Sequence, residues 1–211
     1  DLAERTDVLS RLIVTSEAEG DPLSDTELRD QLVTLLLAGH ETTATALAWS
    51  LYELGRHPEL HARTVQAVSD GDDAWIDAVL KEAMRLHPII PMVVRTLMEP
   101  ATIAGWDLPA GTTVGPSIIV SHQRSDNHPD PEVFRPDRFL SQNPPTNTWI
   151  PFGGGARRCI GAGFSLMEGV AVLREVLAVY DIAAVGDDGP KVRNITSVPR
   201  RGAQIRVTSR V

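Results

Sequence analysis

The sequence predicts a mainly α fold with small antiparallel β-sheets, and three observations lead there. Through about residue 87, apolar residues recur at three- and four-residue spacing, the period of helices buried on one face. From Ile89 onward, prolines and glycines cut the chain into short apolar runs of strand length. Behind the only cysteine, Cys159, the helical period returns through Phe164, Met167, Val170, Ala171 and Arg174.

Composition bounds the reading. A chain of 211 residues with 42% hydrophobic content can bury a core as one large domain or part of one. A formal charge of −8 without a basic run argues against a nucleic-acid surface. One cysteine excludes a disulfide framework and fits a reducing compartment. The longest apolar run, around Leu35 to Gly39, falls short of the roughly 18 residues that a membrane span needs. No signal peptide is read. The chain starts at Asp1, already in a helical pattern, so it reads as a fragment beginning inside a domain.

The elements follow in order. Leu2, Val8, Leu9, Leu12 and Ile13 predict a short helix from Asp1 to Thr15, and Glu17 to Pro22 a polar loop. Ser24 and Glu27 form a capping box with Leu23 and Leu28 as a staple, opening a helix over 25–54 that stops at Gly55 ahead of Pro58. About 30 residues make a rod of roughly 45 Å. Leu28, Leu32, Leu35, Leu36, Leu47, Leu51 and Leu54 should be its buried face. Its middle, Ala38 to Thr45, holds a glycine and three threonines, poor helix formers. Either Gly39 packs closely against another element, or it opens space for a ligand beside Glu41 and Thr42. The His40–Glu41 pair is no zinc-protease motif, because Ala44 stands where HExxH needs histidine.

Pro58 to Ser69 predicts another helix, and Asp72–Asp73 caps a helix over 73–87 that ends at His87–Pro88. Taken alone, Glu82 and Arg85 in it read as a surface pair worth about 0.2–0.5 kcal/mol. Met92 to Arg95, Ala101 to Ala104 and Thr112 to Val114 read as small strands, and Ser121 to Thr148 as a proline-rich loop. The tail from Asp181 to Val211 reads as short strands around Gly186–Gly189.

The chemistry concentrates in Trp149 to Glu168, with a loop over 149–163. Gly153, Gly154 and Gly155 and the arginines Arg157 and Arg158 precede Cys159, which is placed at the first turn of the following helix. Helix N–H groups and nearby cations favour a thiolate, either nucleophile or metal ligand.

Four motifs in one order resemble the haem-thiolate monooxygenases, the cytochrome P-450 family. Ala38 to Thr43 matches AGx(D/E)TT, Glu82 to Arg85 matches ExxR, Phe134 to Phe139 matches FxPxRF, and Phe152 to Gly161 matches FxxGxRxCxG at each fixed position. The resemblance covers essentially the whole chain and implies the C-terminal portion of that fold. It implies haem b as cofactor, with Cys159 as the iron ligand. Phe152, Gly153 and Gly161 shape the loop around the sulfur, and Arg157 and Arg95 pair with haem propionates. Ala38 and Gly39 border the distal side, where Glu41 and Thr42 serve oxygen activation. Ile89 to Val94 line the substrate side. Glu82, Arg85 and Arg138 become a buried charge cluster bracing the loop-rich stretch, which overturns the surface-pair reading. Implied partners are O2, a small hydrophobic organic substrate, and a ferredoxin or flavoprotein electron donor that the arginines of the cysteine loop suit if it is acidic. The wording resembles the soluble bacterial branch and implies a cytoplasmic setting.

Rival readings explain less. A cysteine nucleophile would need His122 or His128 as base, and nothing in the sequence brings either to Cys159. No phosphate-binding GxxxxGK(S/T) or GxGxxG is completed after Gly153, and His57 and His61 straddle Pro58 too awkwardly for a metal pair. Haem-thiolate isomerases and dehydratases share the cysteine loop, but the Glu41–Thr42 pair favours oxygen activation. A truncated, non-catalytic remnant is the remaining alternative, since full members are about twice this length by the same resemblance.

Overall fold

Side-chain caps set the helix starts. In the computed structural model, which describes residues 2–140 and 144–210, Ser24 N–H donates to Glu27 Oε2 (2.9 Å) while Glu27 N–H donates to Ser24 Oγ (3.3 Å). The expected helix start at Asp1, part of the 121–148 loop and the tail's end at Val211 lie outside the described residues. By backbone contacts the chain forms two units, one ending at Thr42 and one running from Thr43.

In the first unit a 3₁₀ turn, Leu2–Glu4, precedes α1 (Val8–Ala18). The helix expected from Asp1 therefore starts later and ends later. Asp7 fixes the start, its carboxylate accepting from Ser10 N–H at 3.0 Å, one of the amides a helix cannot pair itself. The capping box then opens α2 (Asp25–Arg56), which runs unbroken through the glycine–threonine stretch. Thr42 Oγ1 donates to Ala38 O at 2.7 Å, so its hydroxyl bonds back within the helix. The expected leucine face is only partly covered: Leu28 and Leu32 are half-buried, Leu35 is exposed and Leu36 is 69% exposed.

In the second unit α2 continues, followed by α3 (Pro58–Asp70) and α4 (Asp73–Leu86). Asp72 caps α4 by accepting from Trp75 N–H at 3.2 Å. The strands β1 (Arg95–Thr96), β2 (Ala101–Ile103), β3 (Trp106–Leu108) and β4 (Thr113–Val114) come next, then α5 (Ile118–Gln123). After the cysteine loop come α6 (Ala162–Val179), β5 (Tyr180–Ala184), β6 (Pro190–Arg193), β7 (Thr196–Pro199) and β8 (Ile205–Ser209). The described strands pair antiparallel as β1–β4, β2–β3, β5–β8 and β6–β7. Instead of a full Met92 to Arg95 strand there is a single bridge, Met92 to Ser117, ahead of β1.

Two apolar clusters, both touching α2 and α4, hold this unit. Trp49, Tyr52 and Leu54 of α2 meet Trp75, Val79 and Ala83 of α4, with Leu177 and Ile182 from the far end of the chain. Ala46, Ile76, Leu80, Met84, Ile89 and Leu173 form the other, against which Trp149 and Phe152 pack. Gly55 does not end α2 as expected; the helix continues to Arg56. A Cβ built at Gly55 would stand 2.6 Å from Ala184 N, so close approach of β5, not capping, requires the glycine.

Candidate functional site

The cysteine loop is built by two residues in the left-handed region. Gly153 and Gly155 both have φ +69°, a conformation that side chains with a Cβ seldom adopt. They turn the chain so that Gly153 N–H donates to Ile150 O (2.9 Å) and Cys159 N–H to Phe152 O (3.0 Å). A 3₁₀ turn, Gly155–Arg157, lies between. Gly161 is the N-cap of α6, so Cys159 sits two residues ahead of the cap and not within the first helical turn. The loop itself, spanning 3₁₀ and turn, takes up the intervening residues. Cys159 is exposed, and a Cβ at Gly161 would stand 3.9 Å from its sulfur. Gly154 is extended, and a Cβ there would meet no described atom within 4 Å.

Beneath the loop, an aromatic series ties it to the rest of the unit. Phe139, Trp149 and Phe152 meet edge-on, with ring centroids 5.6 and 6.0 Å apart in turn. Trp149 Nε1–H also donates to Lys81 O of α4 at 3.2 Å.

Glu82 and Arg85 are completely buried, which removes the surface-pair reading. Arg85 Nε and Nη2 donate to the two Glu82 oxygens at 2.7 and 2.9 Å. Arg138 Nε adds a bond to Glu82 Oε1 at 2.9 Å, and Arg135 N–H one at 2.8 Å. Arg85 also donates to His122 O (3.0 Å) and Val133 O, and Arg138 to Pro129 O, Asp130 O and Val133 O. One carboxylate on α4 thereby gathers two guanidiniums, and these hold the carbonyls of the irregular 122–133 stretch. Charges this deep persist only when so paired.

Sequence reasoning missed α5 and the part played by His122 on it. Ile150 N–H donates to His122 Nε2 at 2.8 Å. A backbone amide can only donate, so Nε2 is unprotonated and Nδ1–H donates to Arg85 O at 3.2 Å. His128 Nε2 bonds Thr148 O at 3.0 Å. His122 thus spends both ring nitrogens, which removes it as a base for Cys159. Nothing in the local pattern distinguishes it from an ordinary loop histidine.

Burial pushes the His122 imidazole down to about 3 from an ordinary 6.5, and burial likewise lowers His128 and His61. A depressed histidine binds fewer protons folded than unfolded, so stability is fully present above about pH 6.5. It is lost as pH falls toward the folded value. The unfolding free energy from urea titration should therefore fall between about pH 7 and about pH 5, by on the order of 1 kcal/mol per pH unit for His122 alone. In His122→Gln the slope should flatten.

The remaining expected residues fall as follows. Arg157 ends the 3₁₀ turn with an exposed side chain. Arg95, exposed on β1, donates to Val94 O at 2.8 Å. Val93 lies 3.9 Å from a Cβ built on Gly153. Ala38, Gly39, Glu41 and Thr42 belong to the first unit. Among the described residues, a Cβ at Gly39 would meet nothing within 4 Å outside its own helix backbone and chain neighbours. Among the described residues no cluster of three or more His, Cys, Asp or Glu could hold a metal ion, and no helix is long and apolar enough to cross a membrane.

Comparison with known proteins places this geometry. The family model described as Cytochrome P-450 matches residues 1–207. The chain is 52% identical over 210 residues to "Putative cytochrome P-450 135A1" of Mycobacterium tuberculosis, covering 98% of the chain and 47% of that protein. It is 46% identical to "Putative cytochrome P-450 135B1" of Mycobacterium bovis, covering 98% of the chain and 46% of that protein. The crystal structure of a cytochrome P-450 (CYP102L1) superposes with a TM-score of 0.86 at 25% identity, covering 98% of the chain and 51% of that structure. The chain spans about half the length of the curated relatives it matches. With the family model matching nearly its whole length, the chain belongs to the cytochrome P-450 family.

Proposed function

We propose that this chain carries the cysteine-loop half of a haem-thiolate monooxygenase, which inserts one atom of O2 into a small hydrophobic organic substrate. The observation that carries this reading is the Cys159 loop. It presents the chain's only thiol at an exposed position, held by Cys159 N–H bonding to Phe152 O. The surroundings fit a flat apolar macrocycle bearing carboxylates. Ile160 is 89% exposed beside the thiol, Phe164 and Met167 are exposed on the next turns, and the Arg157 guanidinium is exposed. When bound, haem supplies the iron at which oxygen is activated and electrons are received.

In this reading Cys159 is the iron ligand, and the loop hydrogen bonds fix where its sulfur points. Phe152 closes the apolar side of the loop, Gly153 turns it, and Gly161 leaves room near the sulfur. Arg157 and Arg95 would hold the propionates. Ala38 and Gly39 leave open space, and Glu41 with Thr42 would hold and move protons. Thr42 donates to Ala38 O, so outward it offers lone pairs and must rotate its hydroxyl to donate. Glu82, Arg85 and Arg138 keep the stretch beneath the loop in place. A ferredoxin or flavoprotein would supply electrons.

Reconstitution with haem, reduction and carbon monoxide difference spectroscopy tests this. The red-shifted band of thiolate ligation is expected, and Cys159→Ser should abolish it. Haem uptake with an unchanged band in Cys159→Ser would overturn the ligand assignment. Reductant-dependent O2 consumption with substrate separates a monooxygenase from an isomerase or dehydratase, which would use none.

A further inference from the structure

We infer that His122 is a positioning residue for the cysteine loop, a neutral imidazole strut between the charge-cluster helix and the segment that presents Cys159. The inference rests on Cys159 being the iron ligand. Its geometry stands independently of that. His122 is fully buried on α5 and bridges two backbones that are distant in sequence. One end donates to Arg85 O, the carbonyl of the same residue whose guanidinium returns to His122 O at 3.0 Å. The other end accepts Ile150 N–H. Arg85 and His122 are thus doubly clamped, and the clamp ends on the chain entering the loop.

From Ile150 the path to the thiol is short and hydrogen-bonded throughout. Ile150 O accepts Gly153 N–H, and Phe152 O accepts Cys159 N–H. Trp149, next to Ile150, is bonded to Lys81 of the same helix. Trp149 thus fixes the start of the loop against α4, and the imidazole joins it to α5, where Ser121 Oγ also reaches the preceding carbonyls of Asn147 (3.3 Å) and Thr148 (3.5 Å). Loss of the imidazole leaves the half-buried Ile150 N–H without its acceptor. The loop should then sample other conformations while the helices remain intact.

Amide hydrogen exchange on the whole chain tests this without relying on activity. In the wild type, the Ile150 amide should exchange as slowly as the amides of α4; fast exchange there would overturn the inference. In His122→Phe, which keeps an aromatic ring, somewhat larger, and removes both bonds, Ile150 and Cys159 should exchange at least 10-fold faster. The comparison is with Leu177→Ala, a core variant expected to destabilise the unit generally. His122→Gln, whose amide oxygen can accept Ile150 N–H, should restore protection, and it supplies the test if the phenylalanine variant does not fold. Equal protection loss throughout the unit, matching Leu177→Ala, would reduce His122 to a packing role and sink the proposal.

The haem-loaded protein supplies a second readout. The thiolate-type fraction of the carbon monoxide complex should fall in His122→Phe and recover in His122→Gln. If the wild type takes up no thiolate-ligated haem, the proposed function fails while the exchange result still decides whether the strut holds the loop.

Discussion

Glu82→Ala should cost about 3–5 kcal/mol, the loss expected when one partner of a buried ion pair is removed. Against a total stability of roughly 5–15 kcal/mol, that is enough to unfold much of the population. Three features make the cost high. Glu82 and Arg85 have no side-chain exposure and Arg138 only 9%, so water cannot solvate what is left. Glu82 Oε1 alone accepts from Arg85, Arg138 and the Arg135 amide. And the freed guanidiniums remain anchored to carbonyls of the 122–133 stretch, so they cannot swing out to solvent without dismantling it. Removing Arg63, which pairs with Asp137 at the surface and stacks on Trp75 at 3.5 Å, should cost only about 1–2 kcal/mol. Urea unfolding of the two variants measures the contrast. A triple variant, Glu82→Leu with Arg85→Met and Arg138→Met, should recover part of the loss by leaving none of the cluster's charges buried alone. If Glu82→Ala costs no more than the Arg63 change, the cluster is not what holds this stretch.

That contrast also marks the limit of what spacing reveals. Glu82 and Arg85 at i,i+3 look the same in a sequence whether they face water or core; only their company with the FxPxRF segment changed the reading. Caps were easier, because Ser24, Glu27 and Asp72 act within one turn of their partners and local chemistry suffices. α5 was invisible for the opposite reason. Six residues long and set among prolines, it is defined by the Ser117 cap, where Ser117 Oγ accepts Val120 N–H at 3.2 Å, and by contacts to α4 and Ile150 remote in sequence. β3 escaped too: a two-residue turn with positive φ at Ala104 and Gly105 joins it to β2, and three residues carry no visible alternation. The leucine stripe of α2 was read as buried throughout, although Leu36 is 69% exposed. An apolar stripe records what a helix is suited to meet, and this chain spans about half the length of its relatives.

The two glycines of α2 should respond to alanine with opposite signs. By propensity alone glycine to alanine stabilises a helix interior by roughly 0.8–1 kcal/mol, in full at Gly39 and less at Gly55, one residue from the end of α2. At Gly39 no described residue beyond the helix's own backbone opposes that gain, since none stands within 4 Å of the added methyl. Gly39→Ala should therefore raise stability by up to about 1 kcal/mol. At Gly55 the methyl would stand 2.6 Å from Ala184 N, 3.0 Å from the Ala183 carbonyl carbon and 3.3 Å from the Ala184 Cα. These are backbone atoms of β5, whose register with β8 pairs Ala183 with Arg206 and Ala184 with Ile205. No rotamer change relieves the clash; the strand must move, and with it Ile182, which belongs to the same core cluster as Leu54. Overpacking of this kind costs about 1–3 kcal/mol or more, enough to cancel the propensity gain and reverse it. Gly55→Ala should lower the urea midpoint and Gly55→Val lower it further, while Gly39→Ala raises it. A Gly55→Ala protein as stable as the wild type would mean that β5 does not approach α2 as closely as this geometry requires.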